Sequence, residues 1–274
     1  SSTFRFPSYC EQMVNSVSSL LRDRQYHIAR NWDGRTAMSG FDLSARDLSG
    51  LILAHADLRR ANLSSADLTS ADLSQADLGD VDLSGAILDL ALLIGAIISQ
   101  ANLRNARLNG ARLNRARLGW ADLREASLRN INLSSANLEG ARLYKANLLG
   151  ANLIDATLNA ADLRQARLTA ADLFRTALVF ADLRGADLSF TNMGQADLHQ
   201  ARLSGANLMR ADLHEATLTL ADLCAADLSA ANLSGANLDQ SRYDTETTWP
   251  NDFDPRSHGA ILVDASVRNV DEEE

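Results

Sequence analysis

Cysteine, proline and aromatic residues are scarce in this chain. Two cysteines, Cys10 and Cys224, stand far apart among 274 residues, which excludes a disulfide framework or a zinc site built on cysteine and favours a reducing compartment. Three prolines and 5% aromatic residues argue against one or two ordinary globular domains of that length. Long apolar runs are missing too. The best candidate, LALLIGAII at residues 90–98, is far shorter than a membrane span, and no secretory signal opens the chain. What remains is dominated by Ala, Leu, Asp, Asn and Arg, with a net charge of -9 and 46% apolar residues. That apolar share excludes a disordered acidic tract.

The abundant residues are ordered. ADLTSADLSQADLGD (residues 66–80) states one five-letter word three times. Residues 41–240 divide into 40 such words without insertion or deletion, and Leu holds 38 of the centres, with Ile98 and Met193 as the exceptions. Ala stands two residues before the centre in 33 words; Phe41, Arg46, Leu51, Val81, Ile131, Thr176 and Thr191 replace it elsewhere. A helix cannot use a period of five, because successive leucines drift around its circumference. A flat strand fails because an odd period alternates faces. A chain that turns a corner in every word can point Ala and Leu inward each time. Four words then close a square coil of 20 residues, stacked at about the inter-strand spacing of 4.8 Å, and ten coils make a rod about 48 Å long.

ADLTS, ANLSS and ADLRG also match the A-(D/N)-L-X-X pattern of the pentapeptide-repeat proteins, which this chain resembles, cyanobacterial members included. The resemblance implies an all-β fold, a right-handed quadrilateral parallel β-helix of about ten coils. It says less about function, because the family serves many partners and is mostly not enzymatic.

Open coil ends are sheet edges that invite pairing. Residues 1–36 therefore read as an N-terminal cap, with an α-helix over residues 8–24. Tyr9, Met13, Val14, Val17, Leu20 and Leu21 form its apolar stripe, and Ser8 with Glu11 makes a capping box. The β-helix proper takes 37–243. Residues 244–274 form an irregular tail in which Trp249 and Phe253 cover the last coil, GAILVDASV adds a short strand and DEEE is solvated. The tail resembles that of cyanobacterial family members.

With 20 residues per coil, the sequence becomes a surface map. The residue before each centre reads Asp42, Asn62, Asp82, Asn102, Asp122 on the first face, where neutral Asn between carboxylates limits repulsion. The other three faces read Asp47, Asp67, Ile87, Arg107; then Ile52, Asp72, Leu92, Arg112; then Asp57, Asp77, Ile97, Arg117. Residues 61–80 carry four Asp and no base, whereas residues 101–120 carry five Arg and no acid. Between them Ile87, Leu90, Leu92, Ile94 and Ile97 point outward. Such a girdle beside Arg107, Arg112 and Arg117 suits an acidic protein surface or a phosphate-bearing ligand. The plainer reading is insulation of acid from base, or the stacking of good strand formers. Trp120 and Phe180 share a corner column with Gly140 and Ala160 between them and Tyr144 around the corner, a shallow trough.

No pattern of catalysis is present: there is no HExxH, P-loop or GxGxxG, and a rod with a filled axis lacks a concave pocket. His199 and His214 fall near each other on adjacent corners but lack a third ligand, so no metal and no cofactor is expected. Cys224 should be an exposed, unreactive thiol. The reading is a cytoplasmic, non-enzymatic protein-binding or scaffold solenoid with regulatory potential, a monomer or weak dimer with an unidentified protein partner, no membrane association and no direct nucleic-acid binding. The alternative, from the resemblance, is a DNA mimic that binds and protects a type II topoisomerase. Against it, the arginines of residues 101–120, with Lys145, Arg164, Arg167 and Arg175, interrupt the acidic faces, and the tail lacks the apolar helix such relatives use to dimerise.

Overall fold

The computed structural model describes residues 8–264, with side chains from residue 17. Between the two end coils the words obey one rule of backbone pairing. The centre N–H donates to the carbonyl of position two in the coil above, as in Leu63 N to Asp82 O at 2.7 Å. The position-two N–H donates to the coil below, as in Asp82 N to Ala61 O at 3.0 Å. Parallel bridges consequently join residues 20 apart, from Asp42–Asn62 to Asp222–Arg242. Each word ends in a turn closed by a bond such as Ala66 N to Leu63 O at 3.0 Å. The turn requires a left-handed residue, and the fifth position has positive φ throughout, from Gly40 to Gln240.

Inside, the centres from Leu43 to Leu228 are at most 1% exposed, Ile98 and Met193 included. Burying each contributes about 1.5–3 kcal/mol, and the Ala at position one leaves room for it. Thr176 and Thr191 tolerate the same place because their hydroxyls donate to Leu153 O at 2.8 Å and Leu188 O at 2.7 Å, which removes the cost of an unpaired buried hydroxyl.

The ends differ from the sequence reading. Helix α1 runs Ser8–Arg30, six residues beyond the expected end. Of its apolar stripe, Val17 (65%), Leu20 (69%) and Leu21 (54%) are exposed and do not lie on the coil. Tyr9, Met13, Val14, the Ser8 cap and Glu11 fall outside the described side chains. The coil is met by polar residues. Gln25 Oε1 accepts from Asp42 N at 3.0 Å, Tyr26 donates to Asp47 O at 2.9 Å and Arg22 donates to Ser44 O at 2.9 Å. An open coil presents unpaired N–H and C=O groups, which polar side chains satisfy and leucine cannot. Residues 36–40 also form an extra word: Met38 is fully buried and its N–H donates to Asp57 O at 2.9 Å.

At the other end the register slips by one residue. Asp227 bridges Thr248, 21 positions on. Strand β1 (Arg242–Tyr243) then pairs in parallel with β2 (Ile261–Leu262), so the tail continues the winding. Trp249 and Phe253 pack against the core, with ring centroids 5.4 Å apart. The final DEEE and the end of GAILVDASV lie outside the described residues.

Candidate functional site

The vertical register places Asp67–Ile87–Arg107, Asp72–Leu92–Arg112 and Asp77–Ile97–Arg117 in three continuous columns. Ile87, Leu92, Ile94 and Ile97 are half-buried by their own column neighbours, and Leu90 is 61% exposed. Leu90 holds a left-handed φ of 61°, a conformation that costs a Cβ-bearing residue about 1–2 kcal/mol. Its Cδ2 would lie 2.9 Å from a Cβ at Gly110, so the glycine above makes room for it.

The arginines above the girdle are mostly uncompensated. Arg107 pairs with Asp89. Among the described residues, Arg112, Arg115 and Arg117 form no ion pair within 4.0 Å, and all three are exposed. Their words read ARLNR and ARLGW, with Asn or Gly where a carboxylate could have stood.

A second arginine cluster occupies the first face, and the sequence reading stopped that column at Asp122, short of it. Arg124, Arg142, Tyr144, Asp162, Arg164 and Arg184 line an open cleft of about 700 Å³. Here the word is ADLR. Positions two and four point the same way on a strand, so Arg164 clamps Asp162 with two bonds of 2.8 Å and Arg184 clamps Asp182 at 2.9 and 2.7 Å. Arg124 grips Asp122 likewise. Burial by itself pushes the Asp162 carboxyl up, but the hydrogen bonds and charge of Arg164 outweigh it and hold the group below its usual range. The alternation expected lower on this face is an actual bond: Asn62 and Asn102 donate to Asp42 and Asp82 at 3.1 and 2.9 Å.

The aromatic trough does not form. The Trp120 ring lies over Gly140, where a Cβ would meet it at 2.6 Å, so the indole fills the space it was expected to bracket. Phe180 stands 6.3 Å from the ring of His199. Tyr144 bonds Gln165 at 3.3 Å and faces Lys145 and Arg164. The two histidines are engaged separately, His199 with Thr219 at 2.6 Å and His214 with Asp212 at 3.0 Å. No group of three metal-ligating side chains occurs among the described residues. Cys224 corrects another expectation: it is 4% exposed. The final partial coil causes this by laying Asp244 above it, the carboxylate accepting from Ala225 N at 3.0 Å. Burial, aided by Asp222, pushes its thiol up to about 12.

The fold and surface are those of a repeat solenoid that presents ordered columns of side chains. Eight copies of the pentapeptide-repeat family model match residues 42–242 without a gap. The chain belongs to the pentapeptide-repeat family, and its fold is the right-handed quadrilateral β-helix. It is similar to HetL, a pentapeptide repeat protein involved in heterocyst differentiation regulation in the cyanobacterium Nostoc sp. strain PCC 7120. The two are 31% identical over 82% of this chain and 92% of HetL, with a TM-score of 0.46. QnrB1, a plasmid-mediated fluoroquinolone resistance protein, is 20% identical over 68% of this chain and 91% of its own, with a TM-score of 0.47. A pentapeptide repeat protein of the Arabidopsis thaliana thylakoid lumen is 34% identical over 35% of this chain and 63% of its own, with a TM-score of 0.30. No curated protein sequence matches at a significant level. No described helix is long and apolar enough to cross a membrane.

Proposed function

We propose that the chain is a non-enzymatic protein-binding scaffold that works in the cytoplasm, its coil ends protected by α1 and the tail. Its docking surface is the girdle of Ile87, Leu90, Leu92, Ile94 and Ile97 with the arginines above it. One observation carries this reading: outward apolar side chains lie directly under Arg112 and Arg117, which form no ion pair among the described residues. A desolvated apolar centre with a charged rim is the anatomy of a protein interface, and free guanidinium groups select an acidic one. Insulation of acid from base would not require Leu90 to stand 61% exposed in a left-handed conformation.

Replacing Ile87, Leu92 and Ile97 together by Ser tests the reading. Capture of the partner from a lysate of the source cell should be lost, with the circular dichroism spectrum unchanged; undiminished capture overturns it. The topoisomerase-protecting mimic is disfavoured by the same arginines, and a gyrase supercoiling assay separates the two readings.

A further inference from the structure

The girdle is not merely flanked by charge; it is flanked symmetrically. The coil of residues 81–100 lies midway between the acidic coil of residues 61–80 and the arginine coil of residues 101–120. A two-fold axis lying in the plane of a face, along the strand row of the girdle, turns a second copy face to face with the first and exchanges the acidic coil with the arginine coil. It keeps the position along the strand, so each residue of the axial row meets its own copy.

On the third face this operation matches side chains. With the axis along the row, Leu90, Leu92 and Ile94 each meet their own copy. Asp72, one coil below, meets Arg112, one coil above. Leu90, Leu92 and Ile94 form a row with no charged member. Among the described residues, neither Asp72 nor Arg112 forms an ion pair within the chain; the Asp72 carboxylate accepts from Ser74 N, at 2.9 Å. The neighbouring faces fit less well. The second has Asp89 in its apolar row, already holding Arg107. The fourth offers Ile97 alone beside Gly95 and Ser99.

Resting on the reading of the girdle as a protein-docking surface, we infer that the third face binds a second copy of this chain, antiparallel, through Leu90, Leu92 and Ile94, with Asp72 of each copy facing Arg112 of the other. An isologous contact must be self-complementary under a two-fold axis, and this stripe is. Two ion pairs of opposite sense also fix the antiparallel register, because a parallel arrangement sets Asp72 against Asp72 and Arg112 against Arg112.

Sedimentation equilibrium of the full chain tests this. At low salt a concentration-dependent dimer is expected, weakening as ionic strength rises. Asp72→Arg alone and Arg112→Asp alone each place like charges face to face and should weaken association at least about 10-fold, while the chain carrying both should return to within about threefold of the original. A chain monomeric at every concentration overturns the inference. So does a dimer indifferent to the single reversals, or a double reversal without recovery. The broader reading fails separately: if the triple serine variant still captures the cellular partner, the girdle is not the docking surface for that partner, whatever the sedimentation shows. A monomer whose capture depends on the girdle overturns only the second copy.

Discussion

The arginines of residues 101–120 and those of the first face stand on one solenoid, over leucines buried alike, and behave in opposite ways. Arg124, Arg164 and Arg184 occupy position four of ADLR words and are clamped by the Asp two residues earlier. Arg59, in the first ADLR word of the chain, is held by Asp57 in the same manner, at 2.9 and 2.7 Å. Arg112 and Arg117 occupy position two of ARLN and ARLG words, where no acid follows, and form no ion pair among the described residues. The difference is one of letter order. A guanidinium two residues from a carboxylate on a strand face neutralises itself; one stacked over isoleucine or leucine must seek its counter-charge elsewhere. The clamped arginines of the first face stiffen a wall; those of residues 101–120 are the ones the proposed docking surface uses.

The interior offers the largest way to break this comparison. If only the surface distinguishes the regions, Leu113→Ala and Leu163→Ala should each destabilise by about 2–5 kcal/mol and agree with one another in guanidinium unfolding. A large disagreement means that the surface rows reach into the core. Next comes recognition of acid. Replacing Arg112, Arg115 and Arg117 by Ala should weaken binding of a poly-glutamate peptide about 10-fold by fluorescence anisotropy, whereas the Arg124, Arg164 and Arg184 triple should change it less than about twofold. Equal losses would erase the distinction between clamped and free.

A smaller effect appears in stability. Asp162→Asn should cost about 1 kcal/mol at neutral pH, against no more than about 0.5 kcal/mol for Arg112→Ala. The sign with pH follows from the lowered Asp162 carboxyl. A group whose folded value lies below its unfolded value stabilises above the ordinary carboxylate range near about 4 and loses that contribution as pH falls through the folded value. The Asp162→Asn melting curve should therefore converge on the parent curve in acid. The smallest effect concerns the top of the same column, where Cys224 replaces arginine. With its thiol pushed up to about 12 by burial, it should resist a disulfide reagent at pH values about 8 and react only on unfolding; prompt labelling of the folded chain would show that Asp244 does not cover it.

Much of this was readable from the letters. The period of five, the inward Leu and Ala, and the 20-residue register all appear in the bridges, because a strict repeat leaves each word one set of neighbours. The girdle residues landed outward on the predicted columns for the same reason. The errors fell where the repeat stops or where side chains choose among neighbours. The stripe at Val17, Leu20 and Leu21 looked like a cover, yet an open coil end needs hydrogen-bond partners more than it needs leucine. Trp120 lay down over Gly140, a choice no column diagram contains. The cleft at Arg124 and Arg164 was visible in principle, since ADLR words recur 20 or 40 residues apart on the first face.

The repeat alone determined the coil, its buried axis and which residues share a column, because a five-residue period has one way to keep every leucine inside. Only the tertiary structure decided which charges are spent on neighbours and which remain free, which ring fills which gap, and how each end is closed. Those outcomes depend on contacts between coils and across corners, where distance along the chain carries no information.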